Sequence, residues 1–398
     1  MQKLLIITQN FYPVIGSAGN RMKNIFELLS EKNIDTHVLT TEPAYPNKNL
    51  YKQRIFWDEE NLNNNEKIMR LPIKTKKYEN SMLGRLKFYG EIALSFTKKI
   101  FKLKKEKYDY ILVSSPPIFI VLSAFIAKKL YKTKLILEVR DLWPDSLTGV
   151  RKFNNKFVLK IFKFLEKKMY NNADAIIINS LGFKAHILSK LKDKEKTILF
   201  LPNGARAKEI DNIIKKEDDH FQVVYAGNLG LAQDTEKLQE LAKKLNNHDI
   251  HFEIIGYGAR ATEFKEFIEK NNLKYVKLNN PMTRKETLKV ISQSNCAVAL
   301  LNDEEVFSTV LPGKVIDYIT CKTPVIAAVK GQAANLITQN KVGYVFENEE
   351  IGRIVDKIIY LKENIEIRKQ LEENCGELIN AHFLWEKNIE KIMPLLNE

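Results

Sequence analysis

Cysteine is scarce in this chain. There are 3 in 398 residues, at positions 296, 321 and 375. They are too far apart for a metal-ligand pattern and too few and too odd for a disulfide framework, so a reducing compartment, the cytoplasm, is expected. Long apolar runs are missing too. The uncharged stretch from Ile111 to Ala127 carries Ser114-Ser115-Pro116-Pro117 near its start and reads as a strand, a turn and a buried helix, not a membrane span. The opening MQKLLIITQNFYP has only a short apolar run and reads as a buried first strand, not a leader. No GxxxxGK[ST] occurs, which argues against an NTPase of the P-loop kind. No recognised nucleic-acid motif is present, so no nucleic-acid partner is expected.

Acidic residues are outnumbered, 49 against 63 Lys and Arg, for a net charge of +14. Such a balance suits anionic partners, either phosphorylated small molecules or an acidic membrane surface. With 44% hydrophobic and 28% charged residues the chain is globular, and its length suggests two domains.

Short apolar runs alternate with helix-spaced segments. KLLIITQ, DTHVLTT, YDYILVSS, KLILEVRD, ADAIIINS and TILFLPNG read as strands. Between them lie helical patterns such as RMKNIFELLSEKN, PIFIVLSAFIAKKLY and FVLKIFKFLEKKMYNN. After a polar stretch near 203–220 the alternation restarts with QVVYAGNLG, IHFEIIGYG, YVKLNN, CAVALL and TPVIAAV as strands. Repeated strand–helix units form parallel sheets through right-handed crossovers. The expected fold is α/β, with two doubly wound, Rossmann-like domains, a boundary near 203 and a C-terminal helix, LWEKNIEKIMPLLNE. In such sheets ligands bind at the carboxyl ends of the strands.

The strand-end loops supply the candidates. Gly16 and Gly19 in NFYPVIGSAGNRM precede a helix start, where backbone amides favour an anion; the alternative is a plain turn. ILEVRDLWPDSL gathers Glu138, Arg140, Asp141 and Asp145 at the end of a buried strand, where charges sit when paired or functional. YAGNLG, with Asn228, and IIGYGARA, with Gly256, Gly258 and Arg260, each read as a close-approach loop or an ordinary strand-to-helix turn. In LPGKVIDYIT, Gly313 and Lys314 open a helix suited to a phosphate. Asp317, one turn in, either accepts bonds from ribose hydroxyls or merely complements the helix dipole.

Two basic segments complete the list. Residues 67–107 hold 13 Lys/Arg against 3 Asp/Glu, with Leu83, Leu86, Phe88, Tyr89, Ile92, Leu94 and Phe96 interleaved. Residues 151–168 hold 7 Lys/Arg against Glu166, with Phe153, Phe157, Ile161, Phe162, Phe164 and Leu165. Basic amphipathic helices with aromatics suit an anionic bilayer surface; the alternative is a solvated face above a core stripe.

In their order, FYPVIGSAGNRM, EVRDLWPDSL, ADAIIINSLGF, LPNGA, YAGNLGLAQ, IIGYGARATEF, PMTRKETL and LPGKVIDYITCKTPVIA resemble the GT-B glycosyltransferases of family 4. The likeness is nearest to the WbuB-like branch, which includes transferases of L-fucosamine (FucNAc) in bacterial surface polysaccharide assembly. The resemblance implies an acceptor domain over 1–203, a nucleotide-sugar domain over 204–380 and a helix over 381–398 that crosses back to the first domain. It implies a retaining, metal-independent enzyme without a cofactor, using a UDP-sugar donor and a polyprenyl-diphosphate-linked saccharide acceptor. Its place would be the cytoplasmic face of the membrane, bound through the two basic segments. By position, Gly16 and Gly19 fall at the donor phosphates with Asn228, Gly256 and Arg260 in the binding loops. Lys314 faces the diphosphate, Asp317 holds ribose, and Arg140, Asp141 and Lys314 form the catalytic set.

The chain departs from the family pattern in three places. Thr309 stands eight residues before Asp317, where the first acid of an E-x7-E pair is usual, and Glu304 and Glu305 are out of register. LAQD follows GNLG in place of a basic pair, which leaves Lys314, Arg206 and Arg260 to meet phosphate charge. Arg140 stands where many relatives have His. The rival function is a nucleotide-sugar 2-epimerase of the same architecture, with Glu138, Asp141 and Asp145 as its acids and bases.

Overall fold

The structure is a computed structural model that describes residues 1–75, 82–148, 156–213, 215, 220–230, 234–346 and 350–397. The positions 231–233 and parts of both basic segments, 76–81 and 151–155, lie outside the described residues. Its contacts divide the chain into two units, Met1–Pro202 with Glu386–Glu398, and Asn203–Trp385.

The first unit is built on seven strands: β1 (Lys3–Ile7), β2 (Asp35–Thr41), β3 (Ile68–Leu71), β4 (Tyr110–Ser115), β5 (Lys134–Val139), β6 (Ala175–Ile178) and β7 (Ile198–Phe200). They lie in the order β3-β2-β1-β4-β5-β6-β7, and every pairing is parallel. β4 is buried at all six positions, as expected of a central strand covered by helices on both faces. The chain's end docks on this unit. Gln2 donates to the Leu396 carbonyl at 2.5 Å, Lys32 pairs with Glu390, and Ile389, Ile392 and Leu396 are fully buried. The tail is not one helix but three pieces: Trp385–Asn388, a 3-10 turn over Ile389–Ile392, and Met393–Asn397.

The second unit has six strands: β8 (Gln222–Asn228), β9 (His251–Tyr257), β10 (Val276–Asn279), β11 (Cys296–Leu300), β12 (Val325–Ala328) and β13 (Gly343–Val345). Their order is β10-β9-β8-β11-β12-β13, again all parallel. Both sheets reverse their winding direction once, between β1 and β4 and between β8 and β11. That reversal is where an open α/β sheet leaves a crevice at its strand ends.

The basic helices sort their apolar residues by depth. Phe88, Ile92 and Phe96 of the Met82–Lys102 helix are core residues, as is Phe162 of the Lys156–Asn172 helix. Leu94, Phe157, Ile161 and Phe164 face outward. Among the described residues no helix is long and apolar enough to cross a membrane.

Candidate active site

In the second unit the site starts from a gap in the sheet. β8 and β11 pair only at Val223 and Val224, opposite Cys296 and Ala297, and then part. The backbone groups beyond that point need other partners, and Tyr318 supplies them. Its hydroxyl accepts from the Ala226 amide at 2.9 Å and donates to the Val298 carbonyl at 3.1 Å. Tyr318 belongs to the Gly313–Thr320 helix, so this bonding pins the helix start at the strand ends.

Lys314 is the second residue of that helix. It donates to the Tyr225 hydroxyl at 3.0 Å and lies 4.2 Å from the centre of the Tyr225 ring. Tyr225 in turn donates to the Asn228 carbonyl at 3.0 Å. Gly227 makes room for the lysine: its φ is +150°, and a Cβ there would sit 3.1 Å from Lys314 Cε. The Asn228 side chain lies against Gly258, where a Cβ would come within 2.0 Å of its Oδ1. Burial pushes the Lys314 ammonium down to about 7. An anion beside it would reverse that shift.

Asp317 follows Lys314 by three residues on the same helix, a spacing that places the two side by side. Its Oδ1 accepts from Arg284 at 2.9 Å. Arg284 opens the Arg284–Gln293 helix, behind a Thr283–Glu286 capping box, and is gripped by Glu209 at 2.5 and 3.2 Å. Burial raises the Asp317 carboxyl and Arg284 draws it back. Tyr257 is pushed up to about 12, by burial first and by the Asp317 charge second.

The remaining candidates of this unit make the following contacts. Gly256 packs under Leu229 and Leu278. Arg260 precedes the Ala261–Lys270 helix and bonds the Thr235 hydroxyl. Arg206 is buried at the start of the Ala207–Asp211 helix. Thr309 caps the Glu305–Ser308 turn and donates to the Val306 carbonyl at 2.7 Å.

In the first unit the strand ends hold a buried charge cluster. Arg21 of the Ser17–Glu31 helix bonds Glu138 of β5 at 2.5 Å and the Pro202 carbonyl at 3.0 Å. Arg140 lies 3.7 Å from Glu138 and donates to the Ser114 hydroxyl at 2.7 Å and the Pro116 carbonyl at 3.0 Å. Burial pulls its guanidinium down, and Glu138 opposes that. Asp141 is raised by burial, against a hydrogen bond with Ser146 and the charge of Arg140. Gly16 caps the Ser17–Glu31 helix, and at Gly19 a Cβ would meet the Val14 carbonyl oxygen at 2.3 Å. The structure thus links Lys314 to the Asn228 backbone through Tyr225, and sets Arg140 beside Glu138 and within the field of Asp141. Among the described residues, no three His, Cys, Asp or Glu side chains converge to hold a metal ion.

Residues 18–208 match the family described as Glycosyltransferase Family 4, and residues 206–377 the family described as Glycosyl transferases group 1. The chain is a GT-B glycosyltransferase. One relative of this glycosyltransferase is WcaI of Escherichia coli (strain K12), a protein named for colanic acid biosynthesis glycosyl transfer. It is 20% identical over 80% of this chain and 81% of its own. Among solved structures, sucrose-phosphate synthase (tll1590) from Thermosynechococcus elongatus superposes with a TM-score of 0.74 at 15% identity, over 100% of this chain and 98% of its own. Anabaena Alr3699/HepE, solved in complex with UDP and glucose, gives 0.70 at 16% identity over 100% of both chains. At these identities the two structures speak for the fold.

Sequence reasoning missed Arg284 and Glu209. Arg284 lies 33 residues from Asp317 and 75 from Glu209. The one signal was the T-x-x-E capping box that places Arg284 first in its helix, at a strand end.

Proposed function

We propose that this glycosyltransferase moves a sugar from a UDP-linked donor, with retention, to a polyprenyl-diphosphate-linked saccharide in surface polysaccharide assembly. Within that reading it belongs to the WbuB-like branch and takes an N-acetylamino sugar such as N-acetyl-L-fucosamine. The observation that carries the donor half is the half-buried Lys314, held at the open end of β8 and β11 beside a helix start. As the C1–O bond to the β-phosphate breaks, charge grows on the leaving oxygen. A preorganised cation and backbone amides stabilise that charge more than they stabilise the bound donor. The acceptor hydroxyl attacks C1 from the same face, the new C1–O bond forms, and its proton passes to the departing β-phosphate. No metal or other cofactor takes part, and cations of the chain meet the diphosphate charge. Asp317 holds the ribose, Gly16, Gly19, Asn228, Gly256 and Arg260 shape the donor loops, and Arg140 and Asp141 serve the sugar and acceptor.

The acceptor is lipid-linked, and an anionic cytoplasmic membrane face fits the surface of the first unit. On the Lys156–Asn172 helix Phe157 and Phe164 are 72% and 60% exposed, with Ile161 between them, among Lys156, Lys160, Lys163, Lys167 and Lys168. Apolar side chains ringed by lysines bind anionic lipid by insertion and charge together.

A panel of nucleotide sugars with polyprenyl-diphosphate saccharides, read by product mass and anomeric NMR, tests the chemistry. Inverted product, or a glycosyl adduct on a side chain, overturns the mechanism; sugar interconversion without acceptor points to epimerase chemistry. Sedimentation with phosphatidylglycerol vesicles tests the membrane clause, and no binding at low salt removes it.

A further inference from the structure

We propose that Arg284 is a positioning residue, anchored by Glu209, that presents Asp317 as an ionised acceptor to the ribose diol of the donor. The inference rests on the donor reading above and adds the residues that make Asp317 competent.

Three features of the geometry support it. Arg284 bonds a single Asp317 oxygen, Oδ1, and the Asp317 side chain keeps 26% of its surface open. Second, Arg284 is not available to a ligand phosphate. Glu209 holds its Nε and one terminal nitrogen, and Glu209 is itself fixed by the Arg206 amide at 3.0 Å. Asp317 beside Arg284 is a carboxylate, which suits hydroxyl donors and repels phosphate oxygens. Lys314, three residues earlier on the same helix face, offers the opposite sign. Diphosphate and ribose, adjacent in the ligand, thus meet adjacent groups of matching character.

The third feature is chemical. An ionised carboxylate is the better acceptor for two hydroxyls, since protonation turns one oxygen into a donor. Asp317 is in surroundings that favour protonation, with Glu209 adding to the effect of burial and Arg284 opposing it. Removing the guanidinium therefore changes the state of Asp317 as well as its orientation.

Calorimetry with UDP and with 2′,3′-dideoxy-UDP, at about pH 6 and about pH 8, reads this directly. The wild type is expected to prefer UDP by about tenfold or more, equally at both pH values. Arg284→Gln is expected to shrink the preference to about twofold and to make it rise with pH, as the carboxyl ionises. Glu209→Gln frees Arg284 without removing it and shrinks the preference partway. Arg284→Lys, which keeps the charge, retains more of the preference than Arg284→Gln and serves where Gln does not fold. Lys314→Gln weakens both ligands alike and leaves their ratio unchanged. An undiminished, pH-independent preference in Arg284→Gln overturns the proposal. So does a wild type that binds both nucleotides equally. A wild type that binds neither overturns the UDP-donor reading itself, and the inference with it.

Discussion

Each unit places an arginine–carboxylate cluster at its strand ends, but at different depths. Arg21 and Glu138 retain 1% and 0% of their side-chain surface, whereas Arg284, Glu209 and Asp317 retain 23%, 14% and 26%. A pair with no route to water works on the fold: its charges were desolvated once, during folding, and each now depends on the other. A cluster left a quarter open still has acceptor capacity for a ligand. The same residue types therefore predict different losses in the two units.

The deepest cut should be Arg21→Ala. It takes from the buried Glu138 its nearest cation, leaving Arg140 at 3.7 Å, and is expected to cost about 3–5 kcal/mol, a fall in Tm on the order of 10 °C. A Tm within a degree or two of wild type would mean that the buried pair is no latch. Next comes Lys314→Gln, expected to lower the transfer rate about 100-fold with little change in Tm.

The wild-type lysine also sets a pH dependence. It is cationic below its value of about 7 and loses its proton above it, so UDP affinity should fall as pH rises through about 7. Lys314→Arg should flatten that slope. A UDP affinity constant from about pH 6 to about pH 9 in the wild type would remove Lys314 from the diphosphate.

Gly19→Ala drives a methyl group toward the Val14 carbonyl, a backbone atom that cannot turn aside, and should cost about 1–3 kcal/mol. The smallest effect is Asp317→Ala, about tenfold in UDP affinity with Tm nearly kept. If it instead unfolds the second unit, the contrast between the two clusters collapses.

Much of this molecule could be read before any coordinates. KLLIITQ and YDYILVSS mark β1 and β4 because buried parallel strands are rich in apolar residues. The restart after 203 marks the second sheet. β3 and β13 left no such mark: both are edge strands of three or four residues, and half-buried positions dominate them. Lys314 and Asp317 were visible through helix-start chemistry and adjacency. Arg284 was not, because only the crossovers of a parallel sheet carry it to Asp317. In the basic segments the alternation of Lys with aromatics was legible, but the depth of each ring was not. Phe162 lies in the core while Phe164, two residues on, faces outward.

The path of the chain has a consequence for synthesis. Residues 386–398 belong to the first unit although 203–385 form the second. The two crossings run side by side, with Ala205 accepting from Trp385 at 2.9 Å and donating to Phe383 at 2.9 Å. The unit begun first is therefore finished last: until the ribosome releases Ile389, Ile392 and Leu396, the docking place of these residues on the first unit stays uncovered. A premature stop anywhere in the second unit damages both.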